Sequence, residues 1–238
     1  MAYALNPDHL SVAFAGGALI DAGKPVRFRI IDAGRLTITS EHIAASDPLV
    51  MPNPAGFTQR VSPGVYPVTL AVAVLENEDE RVAFAQVRLL DLAPSRWEMA
   101  LHEEQQPGTL GYDEYFGYGV DSGTGCFMDP AAGKLLEERM ALDSEYYNVI
   151  IDGMEKTYRH TRSWLEFRPS SDRAENVVCF SSGFGDGSYP SFFGFVDDGR
   201  PAALVTDFLV LMGDVPEPAE RQNPWWKFWV AKTKQGAK

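Results

Sequence analysis

Paired runs of alternating apolar and polar residues constrain the fold of this chain more than any other feature. Three such pairs occur, each joined by a short polar turn: residues 66–75 with 81–89, residues 192–196 with 201–210, and residues 25–31 with 35–39. Alternation with a period of two is typical of strands, and a turn between two such runs predicts an antiparallel hairpin. Because strands follow strands instead of alternating with helices, the pattern argues against a doubly wound parallel sheet. It predicts a mainly β, antiparallel, β-sandwich-like fold.

Helix is predicted only as an insertion into this fold, near residues 130–157. Asp129 followed by Pro130 is a typical helix start, because the aspartate caps the first turn and proline suits the first helical position. Asp143 and Ser144 predict the cap of a second helix. We therefore expect one or two inserted helices.

The length of 238 residues accommodates one large domain or two small ones. A polar stretch near residues 100–112 predicts a seam between an N-terminal β half, residues 1–100, and a second β half with the helical insertion, residues 101–214. One continuous domain over both halves is the alternative. Residues 215–238 are predicted to form a proline-rich linker followed by an aromatic and basic tail.

The chain is strongly acidic, with 33 acidic against 21 basic residues and a net charge of −12. Such a surface repels nucleic acid and anionic membrane, and it favours a basic protein partner. No apolar stretch approaches the ~18 residues of a membrane span. The first residues lack the charged and apolar regions of a signal peptide, so we expect a cytoplasmic location.

Cysteine and histidine are too sparse to predict a metal centre. Cys126 and Cys179 each stand beside phenylalanine in an apolar stretch, which predicts buried free thiols, with a disulfide between them geometrically possible. The four histidines are scattered and lack the ligand spacing of a zinc site. They are His9, His42, His102 and His160.

Two glycine-rich stretches, residues 117–129 and 180–190, mark the candidate functional site. Each places a carboxylate among glycines beside aromatic residues, and glycine permits both tight turns and close backbone approach. Asp121 and Asp186 are the candidate catalytic residues, and we expect their loops to lie near one another. The candidate binding residues around them are Ser122, Gly123, Thr124, Gly185, Gly187 and Ser188.

The sequence Asp121-Ser122-Gly123-Thr124 has two enzymatic interpretations and one structural interpretation. It matches the loop of aspartic proteases, whose second carboxylate would have to come from a homodimer here, because the chain has no second copy. It also resembles the phosphate-binding loop of actin-like ATPases, a fold whose βαβ units are not predicted. A turn at a strand end is the simplest interpretation.

Hard cations offer a further interpretation of the carboxylates. Asp121, Asp129, Asp186 and Asp207 together would suit Mg²⁺ or Ca²⁺. Asp129 is explained as a helix cap, however, and Asp207 as a solvent-facing strand residue. We therefore predict no metal site and no cofactor.

Five segments of the chain resemble the bacterial domain-of-unknown-function 4241 family: residues 63–68, 81–85, 97–100, 117–129 and 181–190. The specific blocks are Gly-Val-Asp-Ser-Gly-Thr-Gly-Cys-Phe-Met-Asp and Gly-Asp-Gly-Ser-Tyr-Pro, and the resemblance extends over residues 25–212. It implies a free-standing cytosolic protein, with some members encoded near secreted toxins. It carries no established reaction or substrate.

Near the end of the chain, residues 224–229 read Pro-Trp-Trp-Lys-Phe-Trp. Trp225, Trp226 and Trp229 are candidate binding residues, because tryptophan carries much of the energy of protein interfaces. Packing of this segment on its own domain is one alternative. Contact with a membrane interface, helped by nearby lysines, is another.

Two functions from different classes follow. The first is an immunity-type binding protein that neutralises or sequesters a basic partner such as a toxin or nuclease. The net charge and the lack of a complete catalytic set motivate it. The second is a hydrolase or metal-dependent enzyme that uses Asp121 and Asp186. The acidic run at residues 76–80 is predicted to be a solvated hairpin tip, and it is one surface on which a basic partner would act.

Overall fold

The computed structural model describes residues 2–76 and 78–211. The strands in this part of the chain are β1 (Ala18–Asp21), β2 (Lys24–Ile38), β3 (Ala44–Ser46), β4 (Gly64–Val74), β5 (Glu80–Arg88), β6 (Arg96–Met99), β7 (Gly117–Val120), β8 (Thr124–Met128), β9 (Trp164–Phe167), β10 (Val177–Ser181), β11 (Gly187–Phe195) and β12 (Pro201–Asp207). The α-helices are α1 (Pro7–Phe14), α2 (Pro130–Leu142) and α3 (Asn148–Glu155), and a 3₁₀ turn covers Pro107–Thr109.

The strands form two antiparallel sheets. The large sheet has the order β1-β2-β4-β5-β12-β11-β6, with β7 paired to β11, and the small sheet has the order β3-β8-β10-β9. Two predicted hairpins are confirmed, β4 with β5 and β11 with β12. The small sheet packs across β2 of the large sheet. The prediction of a mainly β, antiparallel, sandwich-like fold is confirmed.

The third predicted hairpin, at residues 25–39, is wrong. Residues 24–38 are the single strand β2, which pairs along most of its length with β4. A β-bulge replaces the predicted turn: the Gly34 amide donates to Asp32 Oδ1 at 3.0 Å, and Gly34 has a φ of +107°. Because β4 supplies partners on both sides of the bulge, the chain bends there and does not reverse. A side chain at position 34 would also collide with Glu166.

The small sheet is the middle layer of the molecule and serves two cores. Successive residues of β8 and β10 point to opposite faces, as in any strand. One face packs on the large sheet through Phe127, Val178 and Phe180. The other packs under α2 and α3 through Cys126, Met128, Val177 and Cys179. Because both faces are covered, these strands are almost entirely buried and their sequences do not alternate.

The helices match the predictions in part. Helix α2 starts where predicted, with the Ala131 amide donating to Asp129 Oδ1 at 2.7 Å. The predicted second start is displaced, because Asp143 ends α2 and α3 follows Tyr147. Helix α1 was not expected from the sequence. Asn6 caps it by accepting hydrogen bonds from the amides of its first turn.

Both sheets draw strands from both sides of residue 100. Strands β11 and β12 belong to the large sheet together with β1, β2 and β4–β6, while β3 joins the small sheet. The two predicted halves therefore share one main core. The predicted linker and tail at residues 215–238 lie outside the described residues. Within the described part, no helix is long and apolar enough to cross a membrane.

Candidate functional site

The structure brings the two glycine loops into direct contact. Strand β7 leads into the first loop, residues 121–123, and pairs with the start of β11, which follows the second loop, residues 182–186. The Gly123 amide donates to Asp186 Oδ1 at 3.0 Å, and the Ser182 amide donates to the Gly123 carbonyl at 3.1 Å. The two loops thus form one surface at the end of the β7–β11 pair.

A buried carboxylate that the sequence analysis missed organises the first loop. Asp47, which is 1% exposed, follows β3 and reaches under the loop. Its Oδ2 accepts from the amides of Asp121 at 3.0 Å and Ser122 at 2.8 Å, while its Oδ1 accepts from the Ser122 hydroxyl at 2.8 Å and from the Leu49 amide at 2.9 Å. Successive amides that converge on an anion form a nest. Here the protein's own carboxylate fills it.

The second loop is held by its flanking side chains. The Gly185 carbonyl accepts from the Ser182 hydroxyl at 2.9 Å and from the Tyr189 hydroxyl at 2.7 Å. Gly183 and Gly185 have φ values of +50° and +114°, a region that side chains rarely adopt. These two glycines therefore allow the main chain to reverse its direction within the loop. Phe184, at its apex, is 59% exposed.

The remaining predicted binding residues are spread along the strands beside the loops. Thr124 is buried at the start of β8, opposite Ser181. Gly187 and Ser188 begin β11 and are exposed, and the Ser188 carbonyl accepts from the Tyr115 hydroxyl at 3.0 Å. The carboxylates of Asp121 and Asp186 belong to exposed residues. Trp225, Trp226 and Trp229 lie outside the described residues.

The loop amides are already used, and this limits the chemistry of the site. The amides of residues 121–123 all donate to Asp47 or Asp186, so they do not offer an open cradle to phosphate. Within residues 2–76 and 78–211, no group of three or more His, Cys, Asp or Glu side chains is arranged to hold a metal ion. The charged groups that the two loops expose to solvent are the carboxylates of Asp121 and Asp186.

The other two predicted carboxylates are buried anchors. Asp129 caps α2 as expected, and its Oδ2 also accepts from the amides of Thr39 at 2.6 Å and Ser40 at 2.9 Å. The prediction that Asp207 faces solvent is wrong: it is 5% exposed, and it accepts from the Tyr3 hydroxyl at 2.7 Å. Burial raises the pKa of Asp207 to about 6, against the lowering effect of the hydrogen bonds from Tyr3 and the Leu209 amide.

The acidic tip, residues 76–80, closes the β4–β5 hairpin as predicted, and Glu76 and Glu78 are exposed there. Each of its carboxylates is paired with a cation: Glu76 with Lys24, Glu78 with Arg27, Asp79 with Arg81, and Glu80 with Arg29 and Arg162. Glu80 and Arg162 are both buried. Burial by itself would raise the pKa of Glu80, but the hydrogen bond and charge of Arg162, with Arg29 and His160, lower it.

A different surface combines exposed carboxylates with no basic residue of its own. We call residues 113–121 and 186–190, which comprise β7, the start of β11 and their flanking turns, the acidic ribbon. Its four acidic residues are exposed: Asp113, Glu114, Asp121 and Asp186. The ribbon contains no lysine, arginine or histidine. No ion pair between described residues reaches it.

Two of the scattered histidines line one cleft on another part of the surface. His42 and His102 line an open cleft of about 500 Å³ together with Phe57. Their Nδ1 atoms lie 2.8 Å from the Phe57 carbonyl and 3.2 Å from the Gly56 carbonyl, respectively. The His102 ring stacks on Phe57 with 5.0 Å between centroids. Their spacing in sequence gave no signal that they share a cleft, because 60 positions separate the two residues.

Comparison with known proteins identifies the family. A family model described as "Protein of unknown function (DUF4241)" matches residues 36–206, which include both glycine loops and Asp47. Neither the curated proteins nor the solved structures contain a match to the chain. Because the matched residues make up more than half of its length, the chain belongs to the DUF4241 family.

Proposed function

We propose that this protein is a cytoplasmic, immunity-type binding protein that occupies a basic protein partner such as a toxin or nuclease. The observation that carries the proposal is the acidic ribbon: four exposed acidic residues that form no ion pair within the part of the chain that the structure describes. Complementary charge steers association of two proteins and raises its rate. The net charge of −12 acts in the same direction.

The contrast between the ribbon and the acidic tip supports this choice of surface. The carboxylates of the tip are neutralised by arginines and a lysine of the same chain. A basic partner would have to displace those ion pairs, whereas the ribbon offers its charge at no such cost. Tyr112, directly before the ribbon, is 76% exposed and suits an aromatic contact at the interface.

Affinity capture from the source cell, followed by association kinetics, tests the proposal. We expect the captured protein to be basic and its association to slow as salt rises from 0.05 to 0.5 M, roughly as screening predicts. The double variant Asp113→Asn/Glu114→Gln should associate about threefold or more slowly at low salt. The matched control Glu138→Gln/Asp152→Asn removes the same charge from exposed residues of the helical layer and should associate normally. An acidic partner, or equal rates for both double variants, would refute the proposal.

A hydrolase is the second candidate, because the loops of Asp121 and Asp186 are in contact. One exposed carboxylate, that of Asp121, would then act on a substrate beside a second one. The test is turnover by the purified protein and its loss in Asp121→Asn. Unchanged turnover in Asp121→Asn would remove this candidate.

A further inference from the structure

An apolar groove opens beside the second glycine loop, at the point where the described chain ends. It has a volume of about 710 Å³, and Val26, Leu75, Phe184 and Val210 supply much of its lining. This volume lies in the range of ~300–1,000 Å³ that is typical of ligand pockets. Phe184 forms an exposed wall, with the Arg81 guanidinium 5.2 Å from its ring centroid. The groove therefore presents apolar surface to the solvent next to residue 211.

We propose that this groove binds the aromatic segment of the same chain, residues 225–229. Four of these five residues are aromatic, Trp225, Trp226, Phe228 and Trp229. Large aromatic side chains bury roughly 150–250 Å² each, and a concave apolar surface is where they gain most. This inference goes beyond the proposed function and does not depend on it.

Chain length permits the contact. Residue 225 follows Leu211 by 14 positions, which span up to about 46 Å when fully extended. The connection starts at the groove itself, because Val210 is part of its lining. A connection that long can leave the groove, turn and return. Its cost in closure entropy rises only slowly with length.

Charge favours the same occupant. Residues 221–238 contain five basic and no acidic residues, and the preceding 220 residues hold 16 basic against 33 acidic, a net charge of −17. Asp21, Glu76 and Lys24 line the groove, and Glu76 pairs with Lys24 at 3.8 Å, so the attraction comes from the net charge of the preceding 220 residues and not from Glu76. The segment at residues 221–238 is thus cationic and aromatic, whereas the rest of the chain is acidic and contains an apolar groove. A segment tethered there competes at a high effective concentration with any free ligand.

Hydrogen exchange of the full chain tests the proposal. In the triple variant Trp225→Ser/Trp226→Ser/Trp229→Ser, amides of residues 21–26 and 183–185 should exchange about tenfold faster than in the wild type. The control Gln222→Ser/Gln235→Ser, which changes polar residues of the same region, should leave these rates unchanged. Equal rates in the wild type and the triple variant would overturn the proposal.

A second measurement approaches the contact from the groove. With 5-fluorotryptophan in the full chain, Phe184→Ala should shift the ¹⁹F resonances of Trp225, Trp226 and Trp229, whereas the exposed control Ile151→Ala on α3 should not. Resonances that keep their positions in Phe184→Ala would overturn the proposal. So would protection that falls on tenfold dilution, which would indicate a second copy, or protection that arises only with vesicles of anionic lipid, which would indicate a membrane.

Discussion

Removing the Asp47 carboxylate should destabilise the protein more than removing either predicted catalytic carboxylate. Asp47→Ala deletes an acceptor of four hydrogen bonds, three of them from main-chain amides at residues 49, 121 and 122. The side chain is buried directly after β3, and its hydrogen bonds link that strand to the first glycine loop. The change therefore disconnects the loop from the body of the protein.

The magnitude follows from the number and exposure of these bonds. Hydrogen bonds to a charged group contribute about 1.5–3 kcal/mol each, which would give roughly 6–12 kcal/mol for four. Asp121 and Ser122 are exposed, however, so water can reach their amides once the carboxylate is gone. We therefore expect a loss of about 3–5 kcal/mol, a large share of the ~5–15 kcal/mol of a typical domain. Asp47→Asn keeps one carbonyl oxygen and should cost about 2 kcal/mol.

Urea unfolding followed by circular dichroism measures these differences. The matched control is Asp121→Asn, which lies in the same loop but is exposed, and it should change the free energy of unfolding by less than ~0.5 kcal/mol. The reasoning is refuted if Asp47→Ala costs less than ~1 kcal/mol, or if Asp121→Asn costs more than Asp47→Ala.

Three further predictions concern buried groups. Glu80→Gln should lower the free energy of unfolding by about 3 kcal/mol, because it leaves the buried charge of Arg162 without its partner, while Glu78→Gln, in an exposed pair, should lower it by less than ~0.5 kcal/mol. Since the pKa of Glu80 is lowered on folding, the contribution of Glu80 to stability should be lost as pH falls below 4.5. Equal losses for the two variants in urea unfolding at pH 7 would contradict this prediction. The pKa of Asp207 is raised from 3.8 to about 6, so its contribution to stability is present below pH 3.8 and is lost as pH rises through 6. Between pH 4 and 7.5, the free energy of unfolding of Asp207→Asn should therefore rise by up to about 3 kcal/mol relative to that of the wild type. A difference between the two proteins that does not change with pH would count against this prediction. Burial raises the pKa of Cys126 to about 12 and that of Cys179 well above its normal value. A thiol reagent should therefore label neither cysteine in the native protein and both in denaturant. Fast labelling of the native protein would contradict this prediction, because it would show that the thiols are accessible.

Local signals account for the parts of the fold that the sequence predicted. The β4–β5 and β11–β12 hairpins form because alternating runs and their turns are adjacent in sequence. Asp129 and Pro130 start α2 through contacts within one turn. Both glycine loops could be located for the same reason, since glycine requirements are local.

The features that the sequence did not predict depend on contacts between residues far apart in the chain. Asp32-Ala33-Gly34 has the chemistry of a turn, and only pairing with β4 makes it a bulge. Asp47 meets its two partners in the first glycine loop across 74 and 75 positions, so nothing near it in sequence indicates that it holds this loop. The burial of Glu80 within the acidic tip could not be predicted, because its buried partner Arg162 follows 82 positions later.

The start of α1 carries a local signal in its cap. Asn6 and Pro7 repeat the chemistry of Asp129 and Pro130, since both pairs place a capping oxygen before a proline in the first turn. The helix is only eight residues long and buries just Leu10 and Ala13, so its apolar stripe is too short to show a period. The cap alone is not sufficient to predict it, because Asp47-Pro48 and Asn53-Pro54 have the same chemistry and start no helix.

The position of β12 imposes an order on synthesis. It lies between β5 and β11 in the large sheet, yet β5 ends at residue 88 and β12 starts at residue 201. A ribosome adding about 5–20 residues per second needs roughly 6–24 s to make the intervening chain and β12 itself. During that interval the nascent chain displays the open edge of β5, and unpaired edges readily recruit other chains. The nascent chain is therefore most prone to aggregate in the interval before β12 has been translated.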